Sequence, residues 1–392
     1  MMEQNRPYSD LAAVILAAGK GTRMKSDRPK VVHELLQLPM LWYVHHTLGA
    51  VLPEKDMWTV VGYAQQKVRE ACPDYLGHFV VQEEQLGTGH AVQCAWERFQ
   101  EHGYTWCLVV NGDAPLLRTA PLRSLVEQTR QRQAALGFMS VELDDPSGYG
   151  RVLRARDGSV SQVVEDKDLE DTTLRAGCKE VNAGVYCLHI PSIEPLLHDL
   201  RCDNAQGEYY ITDLVDMCVQ SGKSVWAVGA GNDPSFLGVN SPAELVRCED
   251  LLQDRINAAF LDQGVILRNP GQVRISPQVH IEPGTEITGP VHIMGHTSLA
   301  SQVCIGPYVW IKDSTVQAQA VIREFSHVEE ACIEQDCQVG PYARLRPGSL
   351  VRAKARVGNF VEVKKSVLET GSKVNHLSYI GDARVGAYSN VG

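Results

Sequence analysis

Residues 275–311 read ISPQVH IEPGTE ITGPVH IMGHTS LASQVC IGPYVW I, with an aliphatic side chain opening every block of six. The row Ile275, Ile281, Ile287, Ile293, Leu299, Ile305 and Ile311 is unbroken. After a one-residue slip come Val316, Ile322 and Val328. After another come Ile333, Val339, Leu345, Val351, Val357 and Val363, and further registers carry Val374 with Ile380 and Val385 with Val391. A period of six matches neither the helical repeat of about 3.6 nor the two-residue alternation of a flat strand. It is the signature of a hexapeptide β-helix, in which each apolar residue enters a shared prism-like core. Pro283-Gly284, Gly289-Pro290, Gly340-Pro341 and Pro347-Gly348 are expected to supply turns.

Upstream of the repeats the pattern changes. Ser241-Pro242-Ala243-Glu244 is a capping box, with Ser as N-cap, Pro at the first helical position and Glu three residues on. Leu245, Cys248, Leu252, Ile256 and Ala259 continue as one stripe, and Gly264 offers a stop. A helix over 242–263 is expected. Before it, short apolar runs (Ala12–Leu16, Trp58–Val61, Trp106–Val110, Val181–Leu188) alternate with amphipathic stretches such as Leu122–Arg132. That is the pattern of an α/β sheet domain. The expected organisation is an α/β Rossmann-like domain over 1–237, a helical linker over 238–264 and a β-helix over 265–392.

Composition narrows the function classes. A chain of 392 residues exceeds one ordinary core. No apolar run approaches the roughly 18 residues of a membrane span, and the polar N-terminus lacks a secretory pattern. Eleven cysteines without a C-x-x-C pair argue against a disulfide framework or a zinc site. A cytoplasmic protein is expected. A formal charge of −10 leaves no basic excess for nucleic acid. An anionic substrate would need local basic residues, backbone N–H groups and a metal.

The strand at 11–16 runs into Ala17-Ala18-Gly19-Lys20-Gly21-Thr22-Arg23-Met24, followed by Pro29-Lys30. A glycine-rich turn after a strand lets backbone N–H groups approach phosphate oxygens. Taken alone it is weak evidence and reads more readily as a plain tight turn, and its spacing departs from the dinucleotide and Walker patterns. In isolation Asp113 could start a turn, Lys30 could be solvated and Glu165 part of a charge run. Gly148 and Gly150 could be hairpin glycines, and Asn240 could serve only the helix cap.

The ordered series of segments is more specific. L-A-A-G-K-G-T-R-M with P-K resembles the signature of the sugar nucleotidyltransferases. Gln82 with Leu86-Gly87-Thr88-Gly89-His90-Ala91, Gly112-Asp113, Gly148-Tyr149-Gly150-Arg151, Glu165, Asn182-Ala183-Gly184, Asn204 through Asp213 and Gly238-Val239-Asn240 follow in order. Together they resemble the bacterial family of bifunctional N-acetylglucosamine-1-phosphate uridyltransferase/glucosamine-1-phosphate acetyltransferases. The resemblance covers essentially the whole chain from residue 11 and implies the left-handed form of the β-helix.

By that resemblance, Leu16, Ala17, Ala18 and Gly19 hold uracil and ribose, and Gln82, Gly87 and Thr88 read the uracil edge. Arg23 and Lys30 contact phosphates. Asp113 and Asn240 bind Mg²⁺, and Gly150, Glu165, Asn182 and Asn240 surround the sugar. On the β-helix His376 is the implied general base, with Arg346, Lys364, Tyr379 and Asn390 in the acetyl-acceptor site. The implied substrates are UTP, N-acetylglucosamine 1-phosphate, glucosamine 1-phosphate and acetyl-CoA, and the implied assembly is a homotrimer. Two positions depart from the family pattern: Asn111 where Tyr is common, and Asn375 where Gly is usual. The sequence stops at Asn390-Val391-Gly392 in mid-pattern, whereas repeat proteins need an atypical polar last repeat. The expectation is a shortened chain with its uridyltransferase intact and its acetyltransferase site partial. The rival readings are another sugar-1-phosphate nucleotidyltransferase and a catalytically silent assembly subunit.

Overall fold

The structure, a computed structural model, describes residues 8–100, 102–169 and 177–392. The chain divides into two compact units between Cys248 and Glu249, inside the helix Pro242–Asp262.

The first unit is built on a nine-stranded sheet. Its strands are β1 (Leu11–Ala17), β2 (Met57–Val61), β3 (His78–Val81), β4 (Trp106–Asn111), β5 (Leu136–Glu142), β6 (Arg151–Arg154), β7 (Val160–Val164), β8 (Glu180–His189) and β9 (Val225–Gly229). The main order is β9-β5-β8-β4-β1-β2-β3, with β6 and β7 branching from β8. All neighbours on the main path are parallel except β8, which runs antiparallel to both β4 and β5. Each of the four strands expected from the sequence is present, longer by one or two residues.

The composition of β1 follows from its position. Leu11, Ala13 and Ile15 pack with Leu41, Val44 and Leu48 of helix Met40–Gly49 and with Leu122, Leu125 and Val126 of helix Thr119–Gln131. Ala12 and Val14 pack on the other side with Val92, Trp96 and Phe99 of helix Thr88–Gln100. A strand covered on both faces is apolar at every position, and β1 has no polar residue. The register Leu16↔Asn111 brings the carboxyl ends of β1 and β4 side by side, where open α/β sheets bind their ligands.

The second unit is a left-handed parallel β-helix of three sheets with eight, seven and seven strands. Its inward residues form three stacked files. One runs Ile275, Ile293, Ile311, Val328, Leu345, Val363, Ile380. Another runs Ile281, Leu299, Val316, Ile333, Val351, Leu368, Val385. The third passes through Ile287, Ile305, Ile322, Val339, Val357, Val374 and Val391. Every aliphatic residue of the six-residue repeat is buried or packs on this core. Leu368, outside the rows read from the sequence, fills the missing place.

Two details differ from expectation. Glycine makes a minority of the corners, and most are non-glycine residues at positive φ, such as Tyr308, Phe325, Tyr342 and Phe360. The expected helical stripe is also different, because Ala259 is exposed while Gln253 and Asn257 are buried. Gln253 Oε1 accepts from the Ile275 N–H at 2.8 Å, and Asn257 Nδ2 donates to Pro270 O at 2.8 Å. The helix lies over the first coil, whose backbone groups need polar partners once covered.

Candidate active site

The turn after β1 is closed by Gly21 at φ 66°. A Cβ there would stand 2.6 Å from Lys30 Cβ, so glycine is what lets the turn lie against the lysine stem. Pro29 is extended and leads into the short turn Lys30–Val32, whose Val31 and Val32 are buried. This anchors Lys30 and leaves its ammonium free to reach across. Lys30 Nζ forms an ion pair with Asp113 Oδ2 and donates to Asn240 Oδ1 at 3.0 Å. Arg23 donates to the same Asn240 oxygen at 2.9 Å.

Asp113 and Asn240 are neighbours because their backbones are tied. Gly112 N donates to Leu16 O at 2.9 Å, and Val239 N donates to Asp113 O at 2.9 Å. Gly238 has no room for a side chain: a Cβ would lie 2.9 Å from Asp113 Oδ1. The capping box holds the other side. Glu244 N donates to Ser241 Oγ at 3.2 Å, and Glu244 Oε2 accepts from Asn240 N at 2.7 Å. Asn240 thus serves the cap with its backbone and the cation cluster with its side chain.

Asp113 Oδ1 is buried with no hydrogen-bond partner among the described residues. Such an oxygen is an open ligand position, and a second hard oxygen, Asn240 Oδ1, meets the Lys30 ammonium that pairs with Asp113 Oδ2. Among the described residues no group of three or more His, Cys, Asp or Glu could hold a metal. A divalent ion here would have one carboxylate and one amide oxygen, completed by water and phosphate. That donor set fits Mg²⁺, which uses one or two protein oxygens at phosphate sites.

Beside this cluster is a cavity of about 240 Å³ at the carboxyl ends of β1 and β4. Its walls include Leu16, Ala17, Ala18, Gly19, Gln82, Gly87 and Thr88, together with Lys30 and Asp113. All seven expected nucleotide residues therefore share one cavity. Val31, Gln85, Ala91, Asn111 and Glu208 also line it, and sequence reasoning gave none of them a binding role. Glu208 reaches the cavity because the 204–213 segment is tied to Leu86–Gly89. Tyr209 N donates to Leu86 O at 2.8 Å, Gly89 N to Tyr209 O at 2.7 Å and Ile211 N to Thr88 Oγ1 at 3.1 Å.

Gly150, Glu165 and Asn182 form a second group, none of them in the cavity wall. Asn182 N donates to Gly150 O at 2.8 Å, and a Cβ on Gly150 would lie 3.4 Å from Glu165 Oε1. Thr212 Oγ1 donates to Glu165 at 2.9 Å. Burial pushes the Glu165 carboxyl up, and the Thr212 hydroxyl opposes it. Asp213 is pushed up to about 6 by burial first and by Glu165, Asp168 and Asp216 next. Burial, then Glu244 and Asp113, push the Tyr149 hydroxyl up, and Arg23 opposes them.

On the β-helix, Arg346 donates to Glu362 Oε1 at 2.9 Å, and Lys364, next to Val363, lies one coil on from Arg346. Lys364 registers with Gly381, and Glu362 with Tyr379, whose ring lies against Gly381. His376 ends the strand Lys373–His376 on the adjacent face and registers with Asn359. Asn390 Oδ1 accepts from Asn375 Nδ2 at 2.8 Å. The corner Leu377-Ser378 separates His376, Asn375 and Asn390 from Arg346, Lys364 and Tyr379, so one chain places the five expected residues on two neighbouring faces.

Comparison with known proteins joins these observations. A MobA-like NTP transferase domain model matches residues 13–170. The bifunctional protein GlmU of Oleidesulfovibrio alaskensis is 47% identical, over 97% of this chain and 82% of its own length. Those of Burkholderia mallei and Lawsonia intracellularis are 41% and 40% identical, each over 97% of this chain and 82% of the relative. The chain belongs to the GlmU family. It therefore carries the family's nucleotidyltransferase and acyltransferase architecture, and the family implies a divalent metal and acetyl-CoA. Both departures from the GlmU pattern have a local account. The Asn111 side chain packs on Gly184, which at φ 71° has no Cβ to obstruct it. Asn375 lies within a strand at ordinary φ, and the positive φ of 46° falls on Leu377 instead. Among the described residues no helix is long and apolar enough to cross a membrane.

Proposed function

We propose that the first unit transfers UMP from UTP to N-acetylglucosamine 1-phosphate, giving UDP-N-acetylglucosamine and pyrophosphate, with Mg²⁺ as cofactor. The observation that carries this reading is the meeting of Lys30, Arg23, Asp113 and Asn240 at the edge of a cavity walled by the seven nucleotide residues. In the reaction a phosphate oxygen of the sugar phosphate bonds to the α-phosphorus in line as the bond to pyrophosphate breaks. Two anions must approach, so the protein's task is positioning and charge neutralisation. Lys30 and Arg23 supply two fixed positive charges for phosphate oxygens. Asp113 and Asn240 would hold Mg²⁺, which neutralises phosphate charge when bound. Leu16 to Gly19, Gln82, Gly87 and Thr88 orient the nucleoside, and Gly150, Glu165, Asn182 and Asn240 hold the sugar. No protein nucleophile is needed.

The second unit, in this reading, transfers acetyl from acetyl-CoA to the amine of glucosamine 1-phosphate. His376 takes the amine proton, and Arg346 and Lys364 bind the phosphate, with Tyr379 and Asn390 beside them. The placement of these residues on two faces supports a site completed by a second copy, as in a homotrimer. The division of labour follows the units, with uridylyl transfer before the linker helix and acetyl transfer in the β-helix. The reactions belong in the cytoplasm, where the product serves peptidoglycan and lipid A precursor synthesis. Pyrophosphate release with UTP, N-acetylglucosamine 1-phosphate and Mg²⁺ tests the first activity. Turnover with GTP or ATP but not UTP would overturn it.

A further inference from the structure

Gln82 is 3% exposed and still forms part of the cavity wall. Its side-chain nitrogen donates to Gly87 O at 3.1 Å and lies 3.0 Å from His90 Nδ1. A backbone carbonyl only accepts, so the atom facing Gly87 is the nitrogen and the carboxamide has one orientation. The second hydrogen of that nitrogen is aimed at His90, which must present a lone pair at Nδ1 and carry its proton on Nε2. His90 Nε2 in turn lies 3.8 Å from Cys94 Sγ. Both N–H groups of Gln82 are thus used within the protein. Oε1 is the one polar atom of the carboxamide not committed to another described residue.

We propose that His90 is a positioning residue that fixes Gln82 as a hydrogen-bond acceptor toward the base, and thereby favours uracil over cytosine. This rests on the reading of the cavity as a uridine-nucleotide site. Uracil carries a hydrogen at N3, which an amide oxygen accepts. Cytosine carries a lone pair there, which the same oxygen opposes. Guanine also offers a ring N–H, so the discrimination assigned to His90 is between UTP and CTP. Gly87 O holds one N–H of the carboxamide and His90 the other, so without an acceptor at residue 90 the turned-over carboxamide, which offers its N–H to cytosine, gives up one partner instead of two.

The test compares kcat/KM for UTP and CTP in the full chain and in His90→Phe, which keeps a ring but has no acceptor. The UTP/CTP ratio is expected to fall about tenfold or more, as when a polar group that reads a substrate loses its fixed partner. His90→Asn, whose Oδ1 can replace Nδ1, is expected to keep the ratio within about threefold of the parent, because the amide oxygen restores the acceptor. A merely structural role would lower both substrates equally, so an unchanged ratio in His90→Phe overturns the proposal. If that variant does not fold, His90→Leu makes the same comparison. A parent protein that does not prefer UTP to CTP would instead refute the uridine reading, and the role of His90 with it.

Discussion

Replacing Asp113 by Asn separates chemistry from folding at the cation cluster. Lys30 and Asp113 are 16% and 14% exposed, and breaking a buried pair costs about 3–5 kcal/mol when nothing else meets the stranded charge. Here Asn240 Oδ1 remains 3.0 Å from Lys30 Nζ, which reduces that loss to roughly 1–3 kcal/mol. In the other direction, Asp113 Oδ1 is buried without a partner among the described residues, and removing its charge relieves about 1–3 kcal/mol of desolvation. The two nearly cancel. The net change should stay within about 2 kcal/mol, or roughly 4–8 °C in Tm for a domain of this size. Turnover behaves differently, because the variant loses the only carboxylate proposed for the metal and several kcal/mol of transition-state stabilisation. About 4 kcal/mol corresponds to a loss near a thousandfold. Pyrophosphate release across a Mg²⁺ titration, with thermal unfolding of the same samples, reads both quantities. Turnover within about tenfold of the parent at equal Mg²⁺ would refute the assigned role of Asp113, since a lost ligand should exceed that.

Gly238→Ala places a methyl 2.9 Å from Asp113 Oδ1 and should displace the carboxylate by a few tenths of an ångström. A fall of about tenfold in kcat with little change in KM for UTP is expected, and unchanged kcat would contradict the packing argument. Ile311→Ala empties a fully buried place between Ile293 and Val328, and should destabilise the β-helix by about 2–5 kcal/mol in denaturant unfolding. Asp213 is raised from 3.8 to about 6, so the folded state holds its proton more tightly than the unfolded chain. Its contribution to stability therefore falls as pH rises from about 4 to 6 and stays low above that. Asp213→Asn should flatten that slope and stabilise the protein at pH 7 by about 1 kcal/mol, the full linkage value being reduced by solvent screening. A steeper slope in the variant would reverse the assignment.

The β-helix was legible because one constraint, an aliphatic side chain per face per coil, repeats along a third of the sequence. Leu368 escaped notice since it follows Val363 by five residues, outside the six-residue row. The corners were hidden for a different reason. Tyr342 and Phe360 take positive φ because the coil must turn there, and nothing local in their sequence asks for it. Gln253 and Asn257 were equally unreadable, since only the tertiary structure shows that their helix covers backbone groups of the first coil. In the proposed nucleotide site, Gly19, Lys30 and Asp113 stand out through their motifs. The contact of Lys30 with Asn240, far later in the sequence, is a product of the fold. His90 belongs to the Leu86–Ala91 segment, but its link to Gln82 depends on the helix turning one nitrogen toward the carboxamide.

Uridylyl transfer is tested most directly by measuring pyrophosphate release from UTP with N-acetylglucosamine 1-phosphate and Mg²⁺ on the full chain. It predicts UDP-N-acetylglucosamine and pyrophosphate in equal amounts, strict dependence on the divalent ion and loss of both products in Asp113→Asn. Equal turnover without a divalent ion, or product formation only with another nucleoside triphosphate, would contradict it.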